Sequence, residues 1–144
     1  QLYDFQNGNL SYDEPDMYDL QYLLECINNL QTGNDVLMPV YDFNLFDRLD
    51  KSNWISITGK YDVIILEGLF TFYYKELRQL LNIKIFMNTP LPLCFERRLL
   101  RNTESRVGPT GSSIEFETDY YNKYVYPSYK KYIEPLQKYA DLLL

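Results

Sequence analysis

The stretch Tyr61-Asp62-Val63-Ile64-Ile65-Leu66-Glu67-Gly68 decides the fold class. Its unbroken apolar run fits a strand covered on both faces, as in a parallel sheet, rather than one with a solvated side. The run ends on a carboxylate and then a glycine. In open α/β sheets that C-terminal edge is where ligands and metals collect. A second stretch, Met38-Pro39-Val40-Tyr41-Asp42-Phe43, reads as a proline-started strand running into an aromatic pair. Tyr41 and Phe43 alternate, so on a strand both rings address one face. One edge is aromatic and the other acidic. Together they predict a pocket that stacks a flat ring and holds a charged group beside it.

Outward from these stretches, residues 83–88 read as a second buried strand and 140–144 as a last one. Residues 36–43 and 54–58 look like a strand pair, a hairpin with a long connection. A helix over 20–30 carries Leu20, Leu23, Leu24, Ile27 and Leu30 on one face, with Asp19 as its N-cap and Gly33 at its end. A short helix is expected around 75–81, and another over 93–103 after Pro90 and Pro92. A Tyr- and Lys-rich helix spans 117–131, kinked or split by Pro127. Its rings are expected to pack with their hydroxyls at the surface, and no chemistry is assigned to it. Residues 2–11 and 107–113 read as loops on turn chemistry. Strands alternating with helices are the signature of a parallel α/β sheet. Three core strands are few for such a sheet, and neither G-x-x-x-x-G-K-[ST] nor G-x-G-x-x-G occurs in the sequence.

The 144 residues suit one domain, residues 1–144, with 46% hydrophobic and 24% charged residues as in an ordinary globular chain. The apolar runs are too short to cross a bilayer, so no membrane association is expected. No signal-peptide pattern opens the chain. Cys26 and Cys94 lack C-x-x-C spacing and read as reduced core thiols, which suggests a cytoplasmic setting. The net charge of −6 argues against a general nucleic-acid binder. Against that acidic background Arg97, Arg98, Arg101 and Arg106 form a basic cluster, which points to a small anionic ligand.

Four segments are decisive together: Tyr12-Asp13-Glu14-Pro15-Asp16-Met17-Tyr18-Asp19, Pro39-Val40-Tyr41-Asp42-Phe43, Leu66-Glu67-Gly68 and Arg97-Arg98-Leu99-Leu100-Arg101-Asn102. With Tyr139-Ala140-Asp141 before the last strand, they resemble the uridine kinase (uridine–cytidine kinase) family in order and spacing over nearly the whole chain. Those enzymes are P-loop kinases related to phosphoribulokinase and pantothenate kinase. The resemblance implies a P-loop NTPase-like three-layer α/β/α fold with a parallel sheet and a β-hairpin at the nucleoside site. The fold would be incomplete here. The first strand with its P-loop, and a second strand with the catalytic aspartate, would precede Gln1, and their loss would expose two apolar edges. This chain would be the acceptor-binding and lid portion of the kinase.

The implied activity is transfer of the ATP γ-phosphate to a nucleoside 5′-hydroxyl with Mg²⁺, as in pyrimidine salvage, by a homo-oligomer. Asp13 matches the aspartate that takes the ribose hydroxyls, and a carboxylate suits a vicinal diol because it accepts with two oxygens. Read from the residues alone, Asp13 is as much a helix-entry cap beside Pro15. Tyr12 stands at the family's aromatic beside the sugar, and core packing is the alternative for it. Tyr41 and Phe43 match the base-pocket aromatics, where stacking is worth about 1–3 kcal/mol in nucleic-acid systems. Phe46 replaces a histidine that would hydrogen-bond the pyrimidine, and the chain has no histidine at all. Glu67 matches the acidic residue acting on magnesium, directly or through water, with a helix cap as the alternative. Arg98, Arg101 and Arg106 match lid arginines that close over ATP and the transferred phosphate, whereas Arg97 reads as solvated. A further lid arginine appears as Gly108, and the aspartate after the third arginine is Asn102. Two other readings remain open. One is an inactive relative that binds nucleotide or a partner protein as a regulatory module, and the other a kinase with a different acceptor, as in phosphoribulokinase.

Overall fold

The structure, a computed structural model, describes residues 11, 13–43, 45, 47–105 and 113–144. Helix α1, Leu20–Thr32, begins where the sequence expects. The Asp19 carboxylate accepts from the Tyr22 amide at 3.1 Å, which satisfies one of the first-turn donors. Gly33 ends the helix at φ 78°, a left-handed conformation that costs glycine nothing. The side chains of Cys26 and Ile27 lie buried beneath it, and both cysteines are free thiols.

Two antiparallel pairs follow, one nested in the other. Strand β1, Val36–Met38, pairs with β4, Ile55–Ile57, so the expected partnership is present. Inside it, β2, Tyr41–Asp42, turns back onto β3, Asp47–Arg48. The single strand expected over 36–43 is therefore two, and Phe43 lies in the turn beyond β2. The alternation that was to put both rings on one strand face does not hold. Pairing lets each segment satisfy its backbone locally, and the break after Met38 is what allows the second hairpin.

Helix α2, Lys75–Leu80, precedes β5, Ile85–Phe86. Strand β5 runs parallel to β6, Leu142–Leu143. Lys84 and Asp141 fasten the start of this pair through an ion pair at 3.1 Å and a backbone amide bond at 2.8 Å to the same carboxylate oxygen. Helix α3, Leu91–Leu100, takes Pro92 into its first turn, where the missing amide costs nothing, and runs on through a wider turn over Arg101–Ser105. Helix α4, Ile114–Tyr120, is capped by the Ser113 hydroxyl, which accepts from the Phe116 amide at 3.1 Å. The helical path continues to Tyr139, changing register on both sides of Pro127 rather than ending there. This run is longer than the expected 117–131. Phe70, Phe86 and Ile133 form the buried core, with Tyr74, Tyr129 and Tyr132 packed against it.

The stretch that decided the fold class behaves differently from expectation. Residues 63–68 join no ladder among the described residues. Val63 is 76% exposed and Ile65 88%. The strand expected at 83–88 is only partly covered too: Phe86 is buried, but Ile83 is 73% and Met87 65% exposed. The physical reason is a missing neighbour. Strand β5 has a described partner on one side only, and a cavity occupies the space lined by Leu66, Ile85 and Met87. Among the described residues the parallel sheet is thus one pair of strands rather than a closed layer. No described helix is long and apolar enough to cross a membrane.

Candidate active site

Asp13 reaches the cleft because the chain before α1 is held at several points. The Ser128 hydroxyl donates to the Asp13 carbonyl, and the Asp13 amide donates to Ser11 Oγ at 3.1 Å. A 3₁₀ turn, Pro15–Met17, follows, with Pro15 buried and its carbonyl accepting from the Tyr74 hydroxyl. The residue at the cap position of that turn is Glu14, and no side chain caps it. The Asp13 carboxylate is instead turned toward Arg98.

Arg98 and Arg101 lie three residues apart, on one face where α3 passes into the wider turn. Arg97 is exposed, as the sequence suggests. Asp13, Glu67, Arg98 and Arg101 all line one cleft of about 630 Å³. Glu67 stands at the end of the extended segment, and the turn after it is fixed by Thr71, whose amide and hydroxyl both donate to the Gly68 carbonyl at 3.3 and 3.0 Å. The sequence therefore brings both proposed carboxylates and two of the three proposed arginines to a common space.

The electrostatics of the cleft are uneven. Burial pushes the Asp13 carboxyl above its ordinary value, opposed by Arg98, by a hydrogen bond from Tyr120 and by Arg101, while Glu117 adds to the rise. Tyr18 is pushed up as well, first by desolvation and then by Asp13 and Glu67, so its phenol feels both carboxylates. Its ring meets Phe70 edge-on at 5.3 Å. Arg98 Nε donates to the Glu117 carboxylate at 3.2 Å, and Nη1 lies 4.0 Å from Asp13 Oδ1. Arg101 Nε donates to the side chain of Asn102 at 3.3 Å, and Asn102 is buried.

Tyr41 and Phe43 do not line this cleft. They sit half-exposed at the inner hairpin, ring against ring, with centroids 5.1 Å apart. Tyr12, Phe46 and Arg106 lie outside the described residues. The Tyr-rich helix needs a correction. Tyr120 is buried rather than turned to the surface, and its hydroxyl is bonded to Asp13. Glu117 was not expected in the site at all. Its only signal in the sequence is the spacing Glu117, Tyr120, Tyr124, which gives one helical face. Among the described residues no group of three or more His, Cys, Asp or Glu side chains gathers as a metal cage.

Comparison with known proteins gives this arrangement a context. The model of the Phosphoribulokinase / Uridine kinase family matches residues 1–144. A uridine kinase of Lactobacillus johnsonii is 38% identical over 135 residues, covering 94% of this chain and 61% of that protein. Uridine-cytidine kinase-like 1 of Mus musculus is 35% identical over 95% of the chain and 24% of its own length. Uridine kinase-like protein 5 of Arabidopsis thaliana is 36% identical over 93% and 27%. The chain thus spans from about a quarter to about three fifths of these relatives.

Proposed function

Because the chain belongs to the phosphoribulokinase / uridine kinase family, we propose that the protein containing it transfers the ATP γ-phosphate to the 5′-hydroxyl of a nucleoside, uridine or cytidine, in pyrimidine salvage. Family membership implies kinase chemistry and a P-loop NTPase α/β fold. The acceptor and the assignment of roles are the further step. One observation carries them: Asp13, Glu67, Arg98 and Arg101 line a single cleft. A neutral diol acceptor and a polyanionic donor need opposite charges side by side, and this cleft has both. The reading as an inactive regulatory module is set aside, because the relatives that match nearly the whole chain bear the names of kinases.

In this reading Asp13 accepts from the ribose hydroxyls and Arg101 serves the transferred phosphoryl group, a role the family resemblance also gives to Arg106. The 5′-oxygen forms the new P–O bond as the bond to the β-phosphate oxygen breaks. Its proton passes to a general base, a role this reading gives to none of the residues that line the cleft. Glu67 would hold Mg²⁺ with water and phosphate oxygens, and a lone carboxylate suits an ion that keeps most of its waters. When bound, that ion offsets charge on the phosphates. Tyr41 and Phe43 would receive the base once the hairpin and the cleft share a ligand. Phe46, which replaces a histidine of the family, removes a polar contact to the base, so discrimination among nucleosides is expected to be flatter.

The open floor fits the same reading. The uridine kinase of Lactobacillus johnsonii has about two fifths of its length outside the match. A strand from such an unmatched part, carrying the P-loop, would lie beside residues 63–66 and β5 and bring with it the cover their apolar side chains lack.

The test is a phosphoryl-transfer assay of the intact protein with ATP, Mg²⁺ and uridine or cytidine. Formation of ADP and nucleoside 5′-monophosphate is expected. Asp13→Ala should raise the KM for the nucleoside roughly 10- to 100-fold, since each hydrogen bond to a charged group is worth about 1.5–3 kcal/mol. Normal acceptor KM in that variant, or no transfer to any nucleoside by the unaltered protein, would overturn the assignment.

A further inference from the structure

A buried carboxylate that the reaction does not use faces the residue proposed to read the sugar. Glu117 is 4% exposed, and its partner is Arg98 at 3.2 Å. Apolar side chains in place of both Glu117 and Arg98 would often serve stability as well or better, because desolvating two charges can cost more than their attraction returns, whereas removing one partner alone leaves the other charge uncompensated. The ion pair therefore points to a task other than stability.

The geometry suggests which task. One guanidinium serves two carboxylates unequally, tightly at Glu117 and only loosely, at 4.0 Å, at Asp13. Tyr120, one turn beyond Glu117, places its ring against the same guanidinium at 5.4 Å. Its hydroxyl is bonded to the Asp13 carboxylate. Released from Glu117, Arg98 could close on Asp13 as a two-pronged pair, the preferred geometry of arginine and carboxylate. With the Tyr120 bond, that pair would take three of the roughly four lone-pair sites of the carboxylate, too few left to accept from both hydroxyls of a vicinal diol. We infer that Glu117, with Tyr120, is a positioning pair that holds Arg98 short of Asp13 and so keeps the Asp13 carboxylate open to the diol of a ribonucleoside. This inference rests on the acceptor reading given above, but part of its test does not.

The groups facing Asp13 are Arg98 and Arg101 from α3 and the turn after it, Glu117 and Tyr120 from α4, and the Tyr18 phenol. Neutralising Glu117 removes a repelling charge and frees an attracting one, so both changes act in the same direction on Asp13.

The experiment uses the intact protein with Glu117→Gln and Tyr120→Phe. Carbon-13 NMR titration should show the Asp13 carboxyl pKa falling in Glu117→Gln, as Arg98 closes on it. In Tyr120→Phe it should rise, since a bond to the ionised form is lost. Steady-state kinetics should show the KM of the ribonucleoside about tenfold higher in Glu117→Gln, with kcat changed less than twofold. Preference for the ribonucleoside over its 2′-deoxy analogue should shrink in both variants. A merely structural Glu117 would lower all activities in proportion and leave that preference intact. Unmoved Asp13 pKa values with preserved diol preference overturn the inference. Should Glu117→Gln fail to fold, the Tyr120→Phe titration decides alone, and an unchanged value there overturns the role of the pair. If no nucleoside is phosphorylated while the Asp13 shifts occur as stated, the nucleoside kinase reading fails and the clamp on Asp13 stands.

Discussion

The rim and the floor of the cleft differ in how completely this chain supplies them. At the rim, Asp13, Arg98, Glu117 and Tyr120 partner one another, and the chain leading to Asp13 is tied down by Ser128 and Tyr74. At the floor, Met87 is mostly exposed, as are Val63, Ile65 and Ile83 in the segments that run into it, and the extended segment has no ladder among the described residues. Buried charges need partners at short range, so the elements that bring them must bring the partners too. A strand covered on both faces depends on neighbours that are distant in sequence, and these can come from elsewhere in a chain. The charged rim is therefore self-contained among the described residues, while the sheet beneath it is not.

The largest effect expected from this contrast concerns Ile65. If the floor is covered in the intact protein, Ile65→Asp buries an unpartnered charge and loses apolar contacts, at a cost of about 3–5 kcal/mol. Denaturant unfolding of the intact protein measures it. A cost within about 0.5 kcal/mol, as for ordinary surface changes, would mean the floor stays open and the contrast between the regions is real in the whole protein.

How much of this was legible in the sequence follows the same division. Helix α1 was readable almost to the residue, because Asp19 and Gly33 act within one turn of the ends they define. The β1–β4 pairing was readable in partners but not in detail, since no glycine turn marks the inner hairpin between Asp42 and Asp47. The apolar run at 63–66 announced a need for cover but could not say what supplies it. At the site, Asp13, Glu67, Arg98 and Arg101 were legible through motif order, and the structure does bring them together. Glu117 and Tyr120 were not. An acid flanked by Glu115 and Asp119 looks like part of a solvated face until the packing of its helix against Arg98 is known.

Within the rim, the two described arginines should separate. Arg98 is engaged by two carboxylates, whereas Arg101 meets only the Asn102 amide among the described partners. A charge that stabilises a transferring group acts mainly in the transition state. Arg101→Ala should therefore lower kcat, by about 10²- to 10³-fold if it behaves like other single electrostatic donors. Arg98→Ala should act mostly on the KM of the acceptor. Steady-state kinetics with each substrate varied in turn would show it. Equal losses of kcat in both variants would erase the distinction within the rim.

The smallest effect is on stability against pH, and here the rim opposes the periphery. The Asp13 carboxyl titrates above its ordinary value, chiefly through burial. Between the ordinary and the raised value the folded protein binds more protons than the unfolded chain, so this group makes stability fall as pH rises through that window. Asp19, held down by Arg48 and the Tyr22 amide, and Asp141, held down by Lys84, have lowered values. Their contribution is present above the ordinary carboxylate value and is lost as pH falls through the lowered one. Asp13→Asn removes the first trend and leaves the second, so the variant should gain relative stability as pH rises from the ordinary carboxylate value toward neutrality. Thermal unfolding of the intact protein and of Asp13→Asn across the acid range measures the difference between the two curves. A difference that does not change with pH would mean that Asp13 is no more burdened in the folded protein than in the unfolded chain, and the rim would then need no clamp to keep its carboxylate available.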